Sequence, residues 1–349
     1  MKKLILVLLL FLSSSAFSQE YLDVTPDYRV KLPEDFYFKK DYRVQWWYFT
    51  GHLFDMNGRE FGYELTFFVV NVQKRNYKSQ FGVNKIYISH FAISDVNNNK
   101  FYFYDKGDSG AYGFAGAKED ELNVWVEENT LKGKMNKMHI KAFDSSNMID
   151  LELIPSKPVV LNGENGYSRK SEESSLISSI YFSYTNMKTK GILKIGNHSF
   201  NVKGKSWFDR EISSRSLSDN QKGWDWFAIQ LDDGREIMLY MIRNKDGSID
   251  KYSSGTLVYP GGKYRKLSRN DFNIKVLTHY KSKKTKARYP SKWEIWLQSE
   301  NLILFVTPLI KDQEFLAYGT TGNYYWEGTC EVDGTSKGRA YVEMTGYRE

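Results

Sequence analysis

With Cys330 as the one cysteine in 349 residues, the chain cannot close an intramolecular disulfide, so its fold must rest on ordinary burial of apolar surface. Long hydrophobic runs are missing too, apart from Leu4 to Leu12. That run is far short of the roughly 20 residues a membrane span needs. Lys2 and Lys3 precede it, and Ser13 to Ser15 and Ala16-Phe17-Ser18 follow, which reads as an export signal over residues 1–18 with small residues at the cleavage site. A retained anchor is the alternative, and no Cys follows the run for lipid attachment. Cleavage would release a 331-residue protein, periplasmic or secreted, and would lower the formal charge from +7 to +5. No further transmembrane segment is expected, although peripheral contact with an envelope stays open.

Several chemistries lack their signatures. There is no G-x-S-x-G elbow, dinucleotide fingerprint or P-loop, and nothing resembles a nucleic-acid module. His52, His139, His198 and His279 are scattered without ligand spacing, so neither a metal site nor a cofactor is expected. Basic residues are dispersed among acidic ones except for Lys281, Lys283, Lys284, Lys286 and Arg288, which read as a solvated hairpin loop.

What is abundant is aromatic: 9 Trp, 25 Tyr and 22 Phe against only 7 Pro, a balance that favours the half-buried pleated surface of a sheet. Short alternating runs bounded by Gly, Asn and Asp recur from Trp46 to Thr345, and no window holds a helical period for three turns. The expectation is an all-β sandwich or barrel, with at most one or two short helices, for instance near Pro308 to Phe315. An internal echo supports two related units. Leu53-Phe54-Asp55-Met56-Asn57-Gly58-Arg59-Glu60 is matched by Gln230-Leu231-Asp232-Asp233-Gly234-Arg235-Glu236 with one residue fewer in the turn, each after a Trp-rich strand, with the glycines 176 positions apart. A looser third echo covers Tyr325 to Gly328, Asp333-Gly334 and Tyr341 to Thr345.

Eight ordered segments carry a family resemblance: Asp41 to Gly51 (DYRVQWWYFTG), Gly62 to Phe68 (GYELTFF), His90-Phe91-Ala92, Gly110 to Ala117 (GAYGFAGA), Gly204 to Glu211 (GKSWFDRE), Gly223 to Leu231 (GWDWFAIQL), Tyr325 to Gly328 (YWEG) and Tyr341 to Tyr347 (YVEMTGY). From about residue 41 onward the chain resembles the AttH-like, carotenoid 1,2-hydratase-related family, in particular its exported branch described as secreted hydrolases. The resemblance implies two lipocalin-like antiparallel β-barrels packed together, assigned here to residues 19–212 and 213–349. It implies less about chemistry, because fold alone is weak warrant for a reaction. Gln45 stands where members often have Glu. Trp207 to Glu211 replaces a His-rich segment of the carotenoid hydratases, which argues against that activity. Gly107-Asp108-Ser109-Gly110 invites a serine-protease reading, but Ala111 follows where a second Gly is usual and the segment adjoins the family motif.

Strand geometry narrows the candidates. If Gly204 to Glu211 is extended, Trp207, Asp209 and Glu211 share a face. Asp209 and Glu211 are then candidate catalytic acid and base, or carboxylates merely paired with Arg210 or solvated. His90, mid-strand in apolar surroundings, is either a proton-transfer auxiliary or a hydrogen-bonded core histidine. Trp46, Tyr48 and His52 share one face of their strand and Trp47, Phe49 and Leu53 the other. Trp224, Trp226 and Ala228 lie opposite Asp225, which needs a partner such as Arg235 or Arg243. Trp46, Trp47, Tyr48, Trp207, Trp224, Asp225, Trp226, Tyr325 and Trp326 are candidate ligand-binding residues.

These readings lead to a lipocalin-like protein that binds a lipid-like or terpenoid-like molecule and acts on it by acid–base hydration or hydrolysis. The rivals are a non-catalytic carrier of a hydrophobic ligand and an envelope scaffold whose barrels are filled. Oligomeric state is not legible.

Overall fold

Alternation along Val44–Phe54 decides how the N-terminal half is built: Trp47, Phe49 and Leu53 point into one core, while Trp46, Tyr48 and His52 point to the opposite side. The same parity rule runs through the computed structural model, which describes residues 21–72 and 83–347; the export signal read at 1–18 lies outside them. The first antiparallel sheet follows the order Lys100–Asp108, Lys85–Asp95, Glu60–Asn71, Val44–Phe54, His198–Ser213, Ser178–Ile195, Asn147–Pro155, Lys137–Phe143, Asn129–Lys134, Leu122–Val126, Ala115–Ala117. The second follows Tyr264–Leu267, Ser254–Val258, Glu236–Asn244, Gln221–Leu231, Gly338–Met344, Asn323–Gly334, Leu302–Pro308, Arg288–Leu297, Asn273–Lys281. Each sheet curls into a near-barrel around its own apolar core, the first centred on residues such as Phe49, Leu65 and Leu151, the second on Phe227, Trp293 and Val342. The chain is all-β, with two such units packed together.

The internal echo has a structural counterpart. Val44–Phe54 lies between Glu60–Asn71 and His198–Ser213, and Gln221–Leu231 lies between Glu236–Asn244 and Gly338–Met344. Both echo turns place glycine at positive φ, Gly58 at 78° and Gly234 at 83°, which a side chain would resist. The looser third echo joins Asn323–Gly334 to Gly338–Met344, which corresponds to the pair Ser178–Ile195 and His198–Ser213 rather than to the first hairpin.

One expectation is corrected. No helix forms near Pro308 to Phe315; Leu302–Pro308 and Glu314–Ala317 are strands joined by a bend. Cross-strand bonds from Leu309 N–H to Thr329 O and from Glu327 N–H to Gln313 O hold the segment extended. The buried Gln313 side chain locks the bend, donating to Ile310 O and Thr329 O and accepting from Ser94 and Thr329 N–H. The basic run does form a hairpin between Asn273–Lys281 and Arg288–Leu297, with Lys281, Lys283, Lys284, Lys286 and Arg288 exposed.

The two units meet through their outer faces, and at one close approach the chain needs a glycine. A Cβ built on Gly62 would sit 2.7 Å from Thr329 Cβ, on the opposite sheet. Gly62→Ala will therefore destabilise the protein by about 1–3 kcal/mol through overpacking between the units. Urea denaturation checks this, and an unchanged midpoint would mean that the interface has slack.

Candidate functional site

The chemistry-bearing residues collect between the two units. From the first sheet, Tyr48 stands beside Asp209 and Thr66 in register, Trp46 beside Glu211, and Ser183 beside Asp209. From the second, Trp226 stands beside Glu343, and Glu343 beside Glu327. Parity puts all of these on the outward faces that pack together. The arrangement is roughly two-fold: the Tyr48 hydroxyl donates to Glu327 Oε1 at 2.5 Å across the seam, and the Trp226 indole donates to the Tyr181 hydroxyl at 3.1 Å in the reverse direction. Edge-to-face contacts of Trp226 with Tyr48 (5.3 Å) and Trp207 (6.1 Å) complete an aromatic wall.

Five carboxyl groups meet here, Glu64, Asp209, Glu211 and Glu327 buried and Glu343 partly buried. Asp209 accepts from Tyr181 at 2.8 Å, from the Trp207 indole at 2.7 Å and from Ser183. Burial nevertheless pushes its pKa up to about 7, against the lowering effect of those donors. Glu343 is pushed up to about 8, by burial and then by the charge of Glu211, with the Trp224 indole as its donor and opposing the rise. Glu64 and Glu327 are raised well above the carboxylate range, first by burial and also by neighbouring acids. Glu211 accepts from Ser179 and pairs with Lys170 Nζ at 3.3 Å.

Two polar atoms in this group have no hydrogen-bond partner, Glu64 Oε2 and the Tyr341 hydroxyl, and the two residues interact electrostatically. Buried polar groups in native proteins are rarely left so. Beside Tyr341 and Trp207 lies a cavity of about 10 Å³, lined also by Thr50, His52, Gln230 and Arg339. That is room for about one water. Packed apolar side chains make up the cores of both sheets, and a shallow cavity of about 380 Å³ beside Tyr102, Tyr104 and Ile195 on the first unit holds none of the acids described here. Among the described residues no three His, Cys, Asp or Glu side chains are grouped to hold a metal ion.

Of the residues singled out from sequence, Trp46, Tyr48, Trp207, Asp209, Glu211, Trp224, Trp226 and Tyr325 come together at or beside the seam. His90 joins them through Tyr325, at 2.7 Å. Three do not. Trp47 points into the first core, donates to Phe36 O and stacks under Arg210. Trp326 points into the second core and donates to Lys311 O. Asp225 pairs with Arg243 at 3.1 Å and accepts from Tyr347, a structural pairing of the kind the sequence left open. Gln45 has a structural duty as well, bracketing the Lys39 backbone and accepting from Arg210. Reasoning from sequence missed Glu64, Glu327 and Glu343. Their signal was an acid set within an apolar alternating run inside three of the quoted segments.

A family model described as AttH-like matches residues 23–347. A crystal structure of a candidate AttH protein from Nitrosomonas europaea is 29% identical, with a TM-score of 0.86 over 94% of this chain and 100% of that one. Kievitone hydratase from Nectria haematococca is 14% identical, with a TM-score of 0.70 over 94% of this chain and 97% of its own. CghA, solved with Sch210972, is 10% identical with a TM-score of 0.57, again over 94% of this chain and 97% of its own. The last two share the fold. No curated protein matches the chain by sequence.

Proposed function

The chain belongs to the AttH-like family, and from that premise we propose that the seam is an acid–base active site that adds water to an alkene in a lipid-like or terpenoid-like molecule. The carrying observation is the gathering at the seam of five carboxyl groups, four buried and Glu343 partly buried, with Glu64, Glu327 and Glu343 all interacting with the Tyr341 hydroxyl, which like Glu64 Oε2 lacks a hydrogen-bond partner. The packed barrels suit a scaffold, but a scaffold has no use for several acids crowded in a dry seam, which are costly to keep even when hydrogen-bonded. The hydratase name of one structural relative agrees in reaction type.

Roles follow from the donors each carboxyl meets. Asp209, with three donors aimed at it and a pKa near neutrality, is suited to take a proton and serves as general base toward water. Glu327, on the opposite wall, keeps its proton and serves as the acid toward an alkene carbon. The cation so formed lies against the faces of Trp207, Trp226 and Tyr48, which stabilise positive charge as it develops. Loss of a proton from the added water to Asp209 gives the alcohol. A substrate of this size enters only as the Tyr48–Glu327 and Trp226–Tyr181 contacts part, because the closed seam holds about one water.

The test uses prenylated phenols, terpenoid alkenes and long- and short-chain esters, incubated with the protein in ¹⁸O-labelled water and followed by mass spectrometry. Gain of one labelled water by an alkene is the expected result, falling roughly 10²–10⁴-fold in Asp209→Asn and in Glu327→Gln. Ester cleavage would replace hydration with hydrolysis at the same groups. A molecule that binds and is recovered unchanged would make the protein a carrier.

A further inference from the structure

His90 is wired on both sides. Its ring is 2% exposed and stacked against Phe315 at 4.9 Å, with Nδ1 at 2.7 Å from the Tyr325 hydroxyl and Nε2 at 3.0 Å from Thr320 Oγ1. Thr320 gives its one hydroxyl proton to Asp105 Oδ2, at 2.8 Å. Toward His90 it can therefore only accept, so Nε2 carries the ring proton and Nδ1 accepts from Tyr325. With its proton committed to Nδ1, the Tyr325 oxygen is an acceptor toward Glu327, its other hydrogen-bond partner. A protonated Glu327 fits that place, donating to Tyr325 and accepting from Tyr48. Every proton in the row from Glu327 to Asp105 points the same way. Asp105 is partly exposed, so the row ends at solvent. The ring stays neutral, since burial pushes the His90 pKa down to about 3.

We propose that His90 is a proton relay joining the buried acid Glu327 to solvent through Tyr325, Thr320 and Asp105. The proposal rests on the assignment of Glu327 as an acid. In the outward pass the Glu327 O–H bond breaks and that proton goes to the Tyr325 oxygen. Tyr325's own proton goes to Nδ1, the Nε2 proton to Thr320, and the Thr320 proton to Asp105, which releases it to water. The row is then reversed, and a proton taken up by Asp105 returns through the same bonds to Glu327. His90 changes tautomer at each pass and never holds net charge. The outward and inward passes together exchange the Glu327 proton with solvent, the outward pass turning the row and the inward pass restoring it. Asp105 and His90 come from the first unit, and Thr320, Tyr325 and Glu327 from the second, so the row exists only when the two are docked.

Infrared spectroscopy tests this without any substrate. The C=O stretching band of protonated Glu327 is assigned at neutral pH as the band lost in Glu327→Gln, and its shift is timed after mixing with D₂O. Thr320→Val keeps the shape of the side chain and removes the hydroxyl; it is expected to slow the shift at least tenfold. His90→Phe should do the same. Backbone amides of Asn323–Gly334 should exchange at wild-type rates in both, which excludes a general tightening of the seam. A shift in Thr320→Val within twofold of wild type would overturn the relay and leave the acid in place. Absence of any band lost in Glu327→Gln would show that Glu327 is ionised, overturning both the acid assignment and the relay.

Discussion

Between pH 5 and pH 8 the folded protein is expected to lose stability by several kcal/mol, and the double variant Asp209→Asn/Glu343→Gln to lose less, with Glu64 and Glu327 still contributing. The ordinary values for these two carboxyls are 3.8 and 4.5, and burial raises them to about 7 and about 8 in the fold. Below about pH 3 both the folded and unfolded states hold the two protons, so burial exacts no charge penalty. As pH rises, the unfolded chain releases its protons first while the folded chain keeps them. Stability therefore declines through that window at roughly 1.4 kcal/mol per pH unit for each group and levels off once the folded groups ionise. Glu60 acts with the opposite sign. Although burial opposes it, bonds from His52 and Arg339 hold its pKa down to about 2, so its contribution is present above pH 4.5 and fades only in stronger acid. Urea midpoints measured at half-unit steps check the expectation. A flat profile, or an unchanged slope in the double variant, would mean that Asp209 and Glu343 are ionised in the fold.

Arg210→Met is expected to cost about 3–5 kcal/mol and to free residues 21–43 for proteolysis. The guanidinium is wholly buried and donates to Asp35 O (3.1 Å), Trp46 O (3.3 Å), Glu211 O (3.0 Å), Tyr37 O (2.8 Å) and Gln45 Oε1 (2.7 Å), while lying 3.9 Å over the Trp47 ring. Burial pulls its pKa down to about 9, with Asp35 and Tyr28 opposing. These contacts seat the Phe36 ring against Phe182 and Phe208, closing the first core. Removing the fork leaves several buried acceptors unpaired. Lysine should not rescue, since one ammonium cannot reach five acceptors on three segments. Thermal unfolding and limited trypsin digestion provide the measurement, and a melting temperature within about 2 °C of wild type would contradict the assigned role.

The period-two pattern made much of this fold legible. It separated Trp47, Phe49 and Leu53 from Trp46, Tyr48 and His52, and it set Asp225 against Trp224 and Trp226. What parity cannot say is which face meets a second sheet. Trp46 and Trp47 read alike in sequence, yet one borders the seam and the other supports a barrel wall. Glu64, Glu327 and Glu343 stayed hidden for the same reason, because a mid-strand acid looks identical whether it faces water or another unit. His90 shows the limit most directly: its two hydrogen-bonding partners lie 230 and 235 residues away. The segment after Pro308 read as a short helix, but it is held extended by Gln313, whose bond to Ser94 depends on docking.

The seam also orders events in the life of a nascent chain. Its cross-unit bonds, Tyr48 to Glu327, His52 to Ala340 and Glu60 to Arg339, span 279, 288 and 279 residues, a very high contact order for the part of the molecule that carries the chemistry. Once His198–Ser213 has been made, the first sheet can close, but the 131 residues from Ser213 to Met344 take a ribosome roughly 7–26 s more. Throughout that interval Trp46, Tyr48 and Trp207 face solvent as an unpaired aromatic surface. A mutation that slows closure of the second sheet will thus show first as lost yield through aggregation, before any effect on turnover can be seen.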